Sequence, residues 1–249
     1  MGSTERDTPP KATGGADSGL RKRLELIATV VASPPMIHRG GKGVWSTEES
    51  CYEFMARQVR PGWRTLETGC GVSTVLFAGW GCDHLCVVPV PEQRDGILEY
   101  CTEHEIEQGS LSFDLRGSEV ALPELPADAV YDLVFIDGSH GFPLPIIDWF
   151  YGAGHLREGG VVILDDRQLP QVNLLVEWFL DRDPRWESLQ STSKWAAYRR
   201  HSSGTLSEIQ TSQPFLESGV NPPRPSVHDV ARAVVHRARD WSNPKRPSR

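Results

Sequence analysis

Two hydrophobic patterns alternate along this chain. Short runs apolar on both faces, Tyr131 to Ile136 and Gly160 to Leu164, read as strands buried inside a parallel sheet. Briefer apolar runs at Trp63 to Leu66, His84 to Val88 and Leu111 to Leu115 read as further strands. Between them lie helix-compatible stretches: Ser73 to Trp80, Pro91 to Gln108, Pro143 to Leu156 and Leu169 to Leu180. A Pro-interrupted connection, Glu119 to Leu125, joins the third strand to the fourth. Strands alternating with helices predict an α/β fold built on a doubly wound, mostly parallel sheet. Trp186 to Gln190 and Lys194 to Arg199, flanking Ser191-Thr192-Ser193, predict an antiparallel hairpin at its edge.

Two helices are expected before the first strand. Leu20, Leu24, Ile27, Val30 and Val31 share one face of a helix from Leu20 to Ala32, which Ser33-Pro34-Pro35 ends. Ser46 and Glu49 have capping-box spacing for a second helix running to about Val59. The expected organisation is a disordered segment 1–19, lid helices over 20–60, a core over 61–200 and a Ser/Pro/Gly-rich linker over 201–225. Residues 226–249 hold an amphipathic helix with a basic tail. Val227, Val230, Ala231, Val234, Ala238 and Trp241 fall on its apolar face. A docked accessory or homodimer helix and a solvated basic tail are both open readings of it.

Composition narrows the class. The chain has 249 residues, 39% hydrophobic and 24% charged, which suits a soluble globular protein. A net charge of −7 argues against broad nucleic-acid affinity. No apolar run approaches a membrane span, and the polar, Pro/Gly-rich N-terminus is not a secretory signal. Five cysteines, an odd number, then read as free thiols in a cytoplasmic protein. Cys82 and Cys86 are spaced C-x3-C, but no second pair matches a zinc site.

The chemistry begins at Glu67-Thr68-Gly69-Cys70-Gly71-Val72-Ser73-Thr74, a turn between the first strand and its helix. Glycines at 69 and 71 permit a sharp turn and a close backbone approach to a ligand. Ser73 or Thr74 can cap a helix whose first N–H groups point over the turn. Thr74 stands where the dinucleotide fingerprint needs its third glycine, and no Gly-Lys-Ser/Thr follows as a phosphate loop requires. An empty tight turn is the bland alternative. In parallel sheets ligands sit at the carboxyl ends of strands. There the fourth strand delivers Asp137-Gly138-Ser139-His140 and the fifth Asp165-Asp166.

The E-x-G-x-G-x-S-T turn resembles the first motif of class I S-adenosylmethionine (SAM)-dependent methyltransferases. Phe135-Ile136-Asp137-Gly138-Ser139-His140, followed by Asp148, Gly159-Gly160 and Asp165-Asp166, is similar to a small-molecule O-methyltransferase subgroup of that family. The resemblance implies a Rossmann-like sheet with N-terminal lid helices and SAM as cofactor. It assigns cofactor contacts to Glu67, Thr68, Gly69, Gly71, Ser73, Thr74, Asp137 and Gly138, with Ser118 on the adenine side. It also implies Mg²⁺ on Asp137, Asp165 and Asp166, since a hard ion wants clustered carboxylate oxygens. Read without it, Asp165 and Asp166 cap the next helix instead. Asp137 and His140 are the catalytic candidates: a neutral imidazole beside the methyl takes the acceptor proton, or else it holds the loop.

One departure stands out. The second strand of the family ends in an acidic residue for the ribose hydroxyls. This chain has Val87-Val88-Pro89-Val90-Pro91-Glu92 there, with Glu92 a residue or two late. The acceptor pocket is open: His38, Arg39, Trp45, Phe142, Trp149 and Tyr151 are candidates, most of them equally well read as packing. The expected function is methyl transfer from SAM to a small-molecule acceptor, at oxygen and with Mg²⁺ as an optional aid, without nucleic-acid or membrane partners. The rival readings are a SAM fold used for another reaction or for nucleoside binding without turnover, and a non-enzymatic partner protein acting through the C-terminal helix.

Overall fold

The structure is a computed structural model that describes residues 14–37 and 46–202. These belong to one compact unit, Met1–Glu208; a second unit, Ile209–Arg249, lies outside the described residues, and with it the expected C-terminal helix. His38, Arg39 and Trp45 also lie outside them.

Seven strands form one sheet: β1 (Arg64–Thr68), β2 (Asp83–Val87), β3 (Leu111–Asp114), β4 (Tyr131–Ile136), β5 (Leu156–Leu164), β6 (Trp186–Ser191) and β7 (Ala196–Arg200). Their order is β3-β2-β1-β4-β5-β7-β6. The first five are parallel, and β7 runs antiparallel to both β5 and β6. The expected doubly wound sheet and closing hairpin are both present.

Alternation along the strands feeds two cores, because successive side chains leave opposite faces. Leu133, Phe135, Val161, Ile163 and Ala197 face one layer, made by α1 (Gly14–Ala32), α2 (Glu49–Gln58), α3 (Val72–Gly79) and α4 (Pro91–Glu103). Val134, Ile136, Val162, Leu164 and Tyr198 face the other, made by α5 (Ser118–Ala121), α6 (Leu144–Gly152) and α7 (Pro170–Leu175).

Several boundaries differ from expectation; the α-helices expected to reach Gln108, Leu156 and Leu180 end at Glu103, Gly152 and Leu175. The first helix begins at Gly14, inside the segment expected to be disordered, since extending a nucleated helix costs little once Ile27 and Val30 are packed. β5 begins at Leu156 rather than Gly160, because Leu156 pairs with Tyr131 before a register shift, and Gly159 adopts φ +73°. The Ser46/Glu49 capping box does not form: Glu48 is the N-cap of α2 and makes no side-chain cap. Nor do Asp165 and Asp166 cap α7, whose N-cap is Leu169.

Candidate functional site

The glycine turn is held by backbone from both neighbouring strands. Gly69 N–H donates to Val87 O at 3.0 Å, and Asp137 N–H donates to Thr68 O at 3.1 Å. The Cys86 thiol donates to Gly69 O at 3.0 Å. Gly69 sits at φ +84°, and a Cβ there would lie 2.3 Å from Asp137 O. Both facts demand glycine.

Thr68, Ile136 and Leu164 are in register across β1, β4 and β5. The next residues, Gly69, Asp137 and Asp165, therefore emerge side by side, as the strand ends predict. They open into a cavity of about 820 Å³, a size suited to a nucleoside cofactor with a small co-ligand.

Glu67 is placed differently. It is wholly buried on the α3 side of β1, where it accepts the hydroxyls of Ser73 and, at 2.7 Å, Thr74. His84 Nε2, on the adjacent strand, lies 3.1 Å from it. A carboxylate only accepts, so Nε2 carries the hydrogen, and the Thr65 hydroxyl reaches Nδ1 at 2.8 Å. Thr74 Oγ1 also accepts Gly71 N–H at 3.0 Å. Glu67, Gly71, Ser73 and Thr74 line none of the cavity; they brace the turn from beneath. The reason is burial: a carboxylate removed from water needs donors, and these hydroxyls supply them.

Thr68, Gly69, Asp137, Gly138 and Ser118 do line the cavity. Thr68 Oγ1 is buried without a hydrogen-bond partner. Glu92 does not line it, whereas Gln93, one residue on, does, beside Val88, Pro89 and Val90. Behind Ser118 and Thr68 lies Asp148, 1% exposed, with both oxygens lacking a hydrogen-bond partner. Burial pushes its carboxyl up to about 6; the nearby hydroxyls of Ser118 and Thr68 offset only part of that. Of the aromatic acceptor candidates, Trp149 is in the core and Phe142 and Tyr151 are exposed. None of these three lines the cavity, where Leu144 and Leu169 provide apolar surface.

The acidic end is more heavily bonded than its sequence suggests. Burial pushes the Asp137 carboxyl well above the usual carboxylate range; Asp165, Glu67 and Asp166 push the same way and Lys194 opposes them. His140 Nε2 lies 2.7 Å from Asp166 Oδ2 and 3.8 Å from Asp137 Oδ1. Burial lowers the imidazole below its ordinary value although Asp166 and Asp165 pull it up. Gln171 donates to the His140 carbonyl and fixes that loop to α7. Asp166 adopts φ +56°, a left-handed conformation that aspartate tolerates.

Lys194 has no counterpart among the expected site residues. It lies just before β7, and its Nζ pairs with Asp166 Oδ1 and stands 3.3 Å from Asp165 Oδ2. Thr47 donates to the other Asp165 oxygen at 2.6 Å. The signal that locates Lys194 is topological: Ala196 pairs with Leu164, so the start of β7 abuts the end of β5.

Within the expected magnesium set, Asp137, Asp165 and Asp166, the gap between Asp165 and Asp166 is taken by the Lys194 ammonium. Both oxygens of Asp165 and both of Asp166 already face a proton donor. Asp137, His140 and Asp166 offer ligand atoms within 4.8 Å of one another, and His140 Nε2 stands 2.7 Å from Asp166 Oδ2. Among the described residues no helix is long and apolar enough to cross a membrane.

No family model matches the chain, and no curated protein does. Solved structures do. A putative O-methyltransferase from Klebsiella pneumoniae aligns at 18% identity over 77% of this chain and 93% of its own, with a TM-score of 0.54. The SAH-bound methyltransferase PaMTH1 of Podospora anserina aligns at 18% identity over 77% and 92%, with a TM-score of 0.52. The T. thermophilus 16S rRNA methyltransferase RsmC, in complex with AdoMet and guanosine, aligns at 16% over 66% and 45%, with a TM-score of 0.49. At such identity the likeness is one of fold: a seven-stranded Rossmann-like methyltransferase sheet with helices on both faces.

Proposed function

We propose that this protein is a SAM-dependent methyltransferase acting on a small-molecule acceptor, at oxygen. The observation that carries the reading is the union, in one cavity, of the braced glycine turn with Asp137, His140, the ends of four parallel strands and the loop that follows β3. Two features fit the cofactor. The ionised form of Asp137 gains from a cationic neighbour, and Thr68 presents a buried hydroxyl in the cavity lining. SAM bears an ammonium, a sulfonium and polar hydroxyls, and when bound it supplies an electrophilic methyl group.

Thr68, Gly69, Asp137 and Gly138 would hold its amino-acid end, and Gln93 and Ser118 its nucleoside end. The chain's contribution to rate is then alignment and deprotonation. In its neutral form His140 commits Nε2–H to Asp166. That bond fixes the tautomer and leaves Nδ1 as the basic nitrogen, ready to take the acceptor's hydroxyl proton.

Calorimetry with SAM and with SAH tests the cofactor reading: each should bind once, and absence of both would end it. A second reading retains the cofactor without transfer, and it draws on one observation, the missing carboxylate at the end of β2. The two separate on whether SAH accumulates from SAM in the presence of hydroxylated small molecules. The cytoplasmic setting is part of the same proposal and draws on the five free thiols.

A further inference from the structure

We propose that Lys194 is the resident cation of this site, standing in the place that Mg²⁺ was expected to take, so that the site works without a divalent ion. The inference rests on the methyltransferase reading for its meaning, but its geometry is independent of it.

The Asp165-Asp166 pair has four carboxylate oxygens, and each faces a donor. Thr47 and Lys194 serve Asp165; Lys194, together with Gln168, serves one oxygen of Asp166, and His140 serves the other. Each oxygen keeps a second lone pair, so the hydrogen bonds alone do not bar an ion; the ammonium does, because it already occupies the gap between the two carboxylates. A divalent ion would have to expel the ammonium or sit against it, and like charges in a half-buried site repel strongly.

Nor is Lys194 a wandering surface lysine. Its side chain is 24% exposed and lines the cavity. Its N–H donates to Thr192 Oγ1 at 3.0 Å, and its carbonyl accepts Arg167 N–H at 2.9 Å. The next residue, Trp195, is fully buried and donates to Ser50 Oγ of α2 at 3.1 Å. The backbone of Lys194 is thus tied to the β5 loop and its neighbour to the N-terminal helices. An ammonium has three N–H donors, and two serve Asp165 and Asp166. The third is left for an oxygen in the cavity, so the ligand class implied for this end of the site is one presenting a hydroxyl or oxyanion. Lys194 would bind and orient that oxygen as the metal was expected to do.

The test is Mn²⁺ titration of the full chain, followed by the loss of the free-ion electron paramagnetic resonance signal, on wild type, Lys194→Ala and Lys194→Arg. Wild type and Lys194→Arg should take up no Mn²⁺ at micromolar concentrations. Lys194→Ala should gain one site at least about tenfold tighter, because removing the ammonium frees the carboxylates. A single tight Mn²⁺ site in wild type, or no gain in Lys194→Ala that folds as wild type by circular dichroism, would overturn the proposal. Should Lys194→Ala not fold, Lys194→Gln offers the same loss of charge with most of the side chain kept. Calorimetry with SAM on the same samples separates the two readings: loss of SAM binding by wild type condemns the methyltransferase proposal, while the Mn²⁺ result alone decides the role of Lys194.

Discussion

Gly69 and Asp137 meet so closely that a single added carbon on Gly69 would lie 2.3 Å from the Asp137 carbonyl oxygen. The turn therefore positions the first residue after β4, and the two cannot be altered independently. Gly69→Val should force the strands apart and impose a left-handed conformation on a branched residue. The combined cost is at least about 2 kcal/mol, from backbone strain plus overpacking. We expect a lower melting temperature together with loss of measurable SAM binding. Unchanged SAM affinity in a folded Gly69→Val protein would refute the placement of the cofactor over this turn.

Beneath the turn, Glu67 joins Ser73, Thr74 and His84 in a fully buried network. Glu67→Ala strands three donors at once. A buried donor left unsatisfied typically costs about 1–3 kcal/mol. Urea unfolding should register that loss, and SAM affinity should fall with it because the turn is no longer braced. Were Glu67 a direct ligand instead, affinity would drop while the unfolding midpoint stayed in place.

Asp148 gives the stability a pH dependence of definite sign. Its carboxyl is raised to about 6 by burial, against an unfolded value of about 3.9. Below about pH 4 it is protonated in both states and costs nothing. Between there and pH 6 the unfolded state has released a proton that the fold still binds, so stability falls as pH rises. At about 1.4 kcal/mol per pH unit, the full penalty above that window is about 3 kcal/mol. Asp148→Asn should accordingly unfold at higher urea than wild type at about pH 8, with the gap shrinking towards about pH 4. A gap that does not change with pH would show that Asp148 pays no ionisation cost.

The contrast between Glu67 and Asp137 shows how far a sequence can be read. Both follow apolar runs at strand ends, and alternation places them on the same face of the sheet. It does not say that α3 covers one and the cavity the other. β4 and β5 were legible because strands buried on both faces read as uninterrupted apolar runs. The convergence of Asp137, His140 and Asp166 followed from the strand order alone. Lys194 was hidden because it sits among Ser191, Thr192 and Ser193, where a lysine looks like ordinary turn chemistry. Only the antiparallel pairing of β7 with β5 brings it to the carboxylates, and that pairing is a long-range fact with no local mark. The Ser46/Glu49 spacing misled for a related reason: the neighbouring Thr47 is drawn to Asp165, 118 residues away, and the helix starts without a side-chain cap.

The end of β2 poses the remaining question of recognition, and Gln93 is the polar side chain that lines the cavity there. Val88, Pro89 and Val90 line the cavity with apolar surface, Glu92 is not part of the lining, and Gln93 is. Its amide offers both a donor and an acceptor, either of which can engage a ribose hydroxyl. It is half-buried on the first turn of α4 and within 3.8 Å of the Cys70 thiol, so its side chain is held near the glycine turn. Gln93→Ala should weaken SAM about tenfold, or ~1.4 kcal/mol, the worth of one or two net hydrogen bonds. The decisive comparison is with 2′-deoxy SAM. If Gln93 reads the ribose, the analogue binds wild type more weakly than SAM does, and Gln93→Ala binds both alike. Additive losses from the substitution and the missing hydroxyl would place the ribose elsewhere, because contacts that do not touch do not couple.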